Sequence, residues 1–84
     1  MNKQDIVYYA EILPLAQQYN VQELSIARVT EKYFVGVNTK TGTSHLFNWK
    51  DLNEIVFYDY KSADEVVKEA KKNRKDEENN NGEN

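Results

Sequence analysis

Apolar and polar positions alternate along most of the chain up to Tyr60, and after Ser62 the apolar spacing widens to every third or fourth residue. The first segment, Asp5 to Leu13, satisfies both patterns. With a period of two, Ile6, Tyr8, Ala10 and Ile12 share a face; with a period of about 3.6, Ile6, Tyr9, Ala10 and Leu13 make an equally good stripe. The β-branched and aromatic run Ile6-Val7-Tyr8-Tyr9 selects a strand, with a helix as the alternative, and Pro14 ends either element. Residues 14–20 read as a loop that could hold one helical turn. Val21 to Thr30 forms the second strand. Leu24 and Ile26 alternate there with Glu23, Ser25 and Ala27, until Arg28 falls in an inward position; a one-residue bulge or the approaching strand end explains the shift.

Tyr33 to Val37 and His45 to Trp49 form a hairpin around the polar run Asn38 to Ser44, in which Gly42 can take a positive φ. Two registers remain open. One pairs Val37 with His45, Val35 with Phe47 and Tyr33 with Trp49. A slip of one residue sets Phe34 against Phe47 and Val35 against Leu46. Both faces carry apolar groups in either register, unlike a sheet with one solvated face. A small closed or half-closed barrel, partly covered by a helix, accounts for this; the alternative is an exposed aromatic contact patch.

Lys50 to Glu54 reads as a turn with Leu52 tucked in, and Ile55 to Tyr60 as the last strand. Ser62-Ala63-Asp64-Glu65 has the form of a capping box. Ala63, Val66, Val67 and Ala70 then supply the apolar stripe of a helix over 62–73. Residues 73–84 lack any apolar side chain and are expected as a disordered polar tail. The expected fold is thus α+β and mostly β. It is a small SH3-like or partly open antiparallel barrel of four to five strands with one C-terminal helix, in a single domain over 1–72.

Composition narrows the function classes. The chain has 84 residues, room for one domain, and its six Tyr, three Phe and one Trp supply much of the buried area. With no Cys, disulfides, thiolate metal sites and cysteine nucleophiles are excluded. No stretch approaches the roughly 20 apolar residues of a membrane span, and the N-terminus lacks a signal-like apolar segment, so a cytoplasmic protein without membrane contact is expected. The net charge of −3 runs against the basic excess of most nucleic-acid binders.

Candidate chemistry is sparse. His45 is the only histidine and cannot build a histidine metal cluster, and Gly36, Gly42 and Gly82 are too isolated to cradle a phosphate. Ser25, Ser44 and Ser62 lack a nucleophile-elbow context. No enzymatic activity, metal or cofactor is expected. The small size, surplus aromatic residues and charged tail point to a module that binds another protein. Its candidate contacts are Phe34, Phe47 and Trp49 with the neighbouring Arg28 and Lys32. The same rings beside Arg28, Lys32, Lys40 and Lys50 support the alternative of a nucleic-acid-binding domain that stacks bases on its hairpin. A homodimer joined through its aromatic face is a third reading, and core rings of a small domain are the plainest account of these residues.

At Val29-Thr30, Tyr33-Phe34-Val35-Gly36-Val37, Leu46-Phe47, Lys50-Asp51-Leu52 and Val56-Phe57, followed by a Lys/Glu helix, the chain resembles a class of small proteins. These are uncharacterised proteins of low-GC Gram-positive bacteria, their phages and mobile elements. The resemblance spans roughly residues 24–72 and rests on the spacing of core-type residues. It implies a β-rich domain with a C-terminal helix and an accessory role, acting on a host or defence protein. It carries over no functional residue.

Overall fold

The computed structural model describes residues 1–82 in their backbone and 1–74 in their side chains. Five strands, β1 (Ile6–Leu13), β2 (Gln18–Val29), β3 (Tyr33–Asn38), β4 (Ser44–Asn48) and β5 (Val56–Phe57), precede one helix, α1 (Tyr60–Gly82). Short 3-10 turns occupy Pro14–Ala16 and Trp49–Asp51. Every strand pairing is antiparallel, and the sheet order β4-β3-β2-β1-β5 makes a four-strand meander to which β5 returns beside β1. The sheet curls into a half-barrel, and α1 packs across part of its outer face.

Local chemistry explains the turns. Pro14 opens a 3-10 turn that Gln17 closes in the left-handed region, at φ 53°, donating its N–H to the Pro14 carbonyl at 3.0 Å. β2 therefore starts at Gln18, three residues before the expected boundary. The bulge expected in β2 lies between Ile26 and Arg28. In the β3–β4 turn, the Asn38 side-chain oxygen accepts the amides of Lys40 and Thr41 at 2.8 and 2.9 Å, and Gly42 takes φ 77°.

Of the two hairpin registers, the chain adopts the one pairing Phe34 with Phe47 and Val35 with Leu46. The other would set the two phenylalanines on opposite faces and leave one in water. Here both point inward, with ring centroids 5.4 Å apart, and join Val7, Leu24, Ile26 and Val56 in the inner core. Within the curl, the Leu24 side chain lies close over Gly36. A Cβ at Gly36 would come within 3.0 Å of two Leu24 side-chain atoms, so bare backbone is required there. A second core fills the space under α1, where Ala10 and Phe57 meet Ala63 and Val67. In β5, Val56 enters one core and Phe57 the other, as strand alternation requires.

Boundaries toward the C-terminus differ from the sequence expectation as well. The last strand is only Val56–Phe57, and the helix begins at Tyr60 instead of Ser62. The cause is Asp59, whose carboxylate accepts the Ser62 backbone N–H at 2.8 Å. That places Ser62 inside the first turn, where it cannot open a capping box. The same N–H, seconded by the Ser62 hydroxyl, holds the Asp59 carboxyl below its usual pKa. The residues expected as a tail over 73–84 continue α1 in their backbone through Gly82, and Lys, Arg and Glu are good helix formers. The final two residues lie outside the described residues.

Candidate functional site

Because α1 packs on β1, β2 and β5, it leaves the outer face of β3 and β4 uncovered. Strand alternation sends Phe34 and Gly36 inward and Tyr33, Val35 and Val37 outward; on β4 it sends His45 and Phe47 inward and Leu46 outward. Leu46 is 62% exposed beside its cross-strand partner Val35. Next to this apolar row, the Arg28 guanidinium sits 5.8 Å from the centre of the Tyr33 ring, within cation–π range. Toward the N-terminus the face dips into a shallow groove of about 500 Å³ that includes Lys3, Gln4, Ala27 and Val37 in its lining.

The residues singled out from sequence divide sharply. Phe34 and Phe47 are buried at 0% and 4% exposure, so neither ring is available to a partner in the folded chain. Their burial follows from the register, which turns both into the curl. Trp49 is half-buried against the same core, and its indole N–H donates to the Thr30 carbonyl at 2.9 Å. Arg28 and Lys32 are exposed. The Thr30 hydroxyl shapes the tight turn between β2 and β3 by accepting the amides of Lys32 and Tyr33 at 3.2 and 3.0 Å. The structure thus brings Arg28 beside Tyr33, and the aromatic trio into or against the core. Leu46, Val35 and Val37 are the surface residues that sequence reasoning passed over. Alternation within β4 was the available signal, since an inward Phe47 forces Leu46 outward.

A polar network closes one end of the concave face. The Gln22 amide donates to the Glu11 carboxylate at 2.7 Å, and the Asn38 amide donates to Gln22 at 3.0 Å. Beside it, the Tyr9 ring packs 5.0 Å from Phe47 and 5.3 Å from His45, joining β1 to β4 across the curl. Burial foremost, then the carboxylates of Glu11 and Asp51, push the Tyr9 phenol above its ordinary value. His45 Nε2 is buried and finds no hydrogen-bond partner among the described residues. Glu11 is already engaged by Gln22, so this network acts as a structural plug for the open end of the curl.

Among the described residues no group of three or more His, Cys, Asp or Glu side chains is placed to hold a metal ion. No helix among them is long and apolar enough to cross a membrane. In comparisons with known proteins, no family model, no curated protein and no solved structure matches the chain.

Proposed function

We propose that the chain is a non-enzymatic module that binds another protein through the outer face of β3 and β4. The supporting observation is exposed Leu46 beside half-buried Val35, flanked by Tyr33 and Arg28, on a sheet whose other half is covered by α1. Half of that face is packed and half is left bare: α1 lies on β1, β2 and β5 and stops short of β3 and β4. An apolar row ringed by polar groups is the usual make-up of a contact surface. Following its resemblance to small phage and mobile-element proteins, we assign the module an accessory role on a host protein in the cytoplasm.

Nucleic-acid binding is the second reading, favoured by Arg28, Lys32 and Lys40 around the same face. It has lost its stacking platform, since Phe34 and Phe47 lie in the core and bases need free ring faces. The test is affinity capture with the tagged chain and with Leu46→Asp and Arg28→Glu variants, with and without nuclease. A stoichiometric protein that survives nuclease and is lost with Leu46→Asp supports the protein-binding reading. Loss of all bound material on nuclease treatment moves nucleic acid to first place.

A further inference from the structure

The free edge of β4 extends that bare face, and its backbone chemistry is more specific than its side chains. In an antiparallel pair, each residue turns both its N–H and its C=O either toward its neighbour or away from it. The Asn38 amide donates to the Thr43 carbonyl at 2.9 Å, so pairing alternates from there. His45 and Phe47 point their backbone groups at β3, and Ser44, Leu46 and Asn48 point theirs out. The Asn48 N–H is already taken by the Asp51 carboxylate at 3.0 Å. Ser44 and Leu46 are left with both backbone groups presented at the edge.

Edges of this kind are normally defended by charges, prolines or bulges. From Thr41 to Trp49 the chain has no Asp, Glu, Lys, Arg or Pro, and the β3–β4 register is unbroken. The first charged residues on either side are Lys40 and Lys50, both exposed. A second copy pairing antiparallel would bring Lys40 of each chain toward Lys50 of the other, setting like charges together at both ends.

Resting on the protein-binding reading above, we infer that β4 is a docking edge that takes an extended segment of a different protein as a sixth strand. The segment pairs with Ser44 and Leu46, lays apolar side chains against the row of Leu46 and Val35, and carries a carboxylate at each end to meet Lys40 and Lys50. This is recognition by strand addition, in which main-chain bonds hold the peptide and alternate side chains select it.

The probe is the synthetic peptide Asp-Val-Thr-Val-Thr-Val-Asp, set against its counterpart with Lys at both ends, on the full chain. Backbone amide exchange by NMR is the readout. The expected result is protection confined to Ser44 and Leu46, with roughly tenfold tighter binding of the Asp-ended peptide from two exposed charge pairs. Leu46→Pro removes an amide the fold does not use, so it abolishes binding while the circular dichroism spectrum stays native. Leu46→Ala retains the protection. Should Leu46→Pro unfold the chain, Ser44→Pro removes the neighbouring outward amide and serves in its place.

Equal affinity for the two peptides, or no protection at Ser44 and Leu46, overturns the inference. So does a doubled mass with those amides protected in the absence of peptide, which makes a second copy the occupant. If captured partner persists with Leu46→Pro but is lost with Val35→Lys, strand addition fails and binding through the outer face stands. Capture indifferent to both variants removes the outer face of β3 and β4 as the binding surface, and with it the reading proposed above.

Discussion

At one end of the sheet, β5 offers a neighbour almost nothing. It is two residues long, and the chain that precedes it folds back over its outer side, where the Asn53 N–H donates to the Val56 carbonyl at 2.7 Å. The reversal depends on Asn53 holding φ 68°, a left-handed conformation that Asn tolerates better than most residues. At the other end, β4 is longer, uncharged and unbulged, and only the Asn48 amide is sealed. One edge is blunted by the chain's own backbone and the other is held open. A protein avoiding all edge contact would blunt both, and this asymmetry is what the strand-addition proposal rests on.

The comparison can be broken most forcefully from inside β4. Phe47→Ala empties a buried position between Phe34 and Tyr9 and is expected to cost about 3–5 kcal/mol. On a small domain that takes most of the stability, and denaturant titration will show it as a fall in midpoint. At the blunted edge, Asn53→Ala keeps the amide but strains the left-handed turn, with an expected loss of about 1 kcal/mol; Asn53→Gly should show no such loss. Equal midpoints for Asn53→Ala and the wild type would mean that the reversal does not protect β5.

Tyr9 joins the two ends of the sheet, pairing with Val56 through its backbone and packing on Phe47 and His45 through its ring. Its folded-state pKa is raised, so the neutral phenol is favoured by folding. That stability is complete below the unfolded value of about 10 and is lost as pH rises through the folded one. A Tyr9→Phe variant should therefore lose less stability than the wild type when thermal melts are taken above that pH. The smallest expected change is Leu46→Ala, within about 0.5 kcal/mol of wild type because the side chain is exposed. Two adjacent positions on one strand then bracket the range, and a large effect at Leu46 would mean that the outer face is packed.

Much of the architecture was legible in the residues. The β-branched opening of β1, the Arg28 shift that marks the bulge, and the turn run after Asn38 are local signals, and each gave the right element. The hairpin register was not local. Both alternatives place apolar groups on both faces, and the choice follows from which of them lets Phe34 and Phe47 enter one core together with residues of β1, β2 and β5. The helix start was misread because Ser62 through Glu65 imitates a cap, whereas Asp59, three residues earlier, makes one.

The site was less legible than the fold. Phe34 and Phe47 drew attention for being aromatic, which is also why the core took them. The uncharged run between Lys40 and Lys50 is visible in the sequence, but that its strand lies at an edge follows only from the complete sheet order.

That sheet order also carries a history of assembly. Each strand from β2 to β4 lies beside the one just before it in the chain, so the meander can close hairpin by hairpin over short loops. β5 must find β1 across 47 positions, from Tyr9 to Val56, and brings α1 with it. A meander formed before that closure would leave the apolar surface around Ala10, Ile12 and Val21 open to water. Docking of β5 and α1 is what covers it, so the strand farthest from its partner in the chain also brings the cover for the second core.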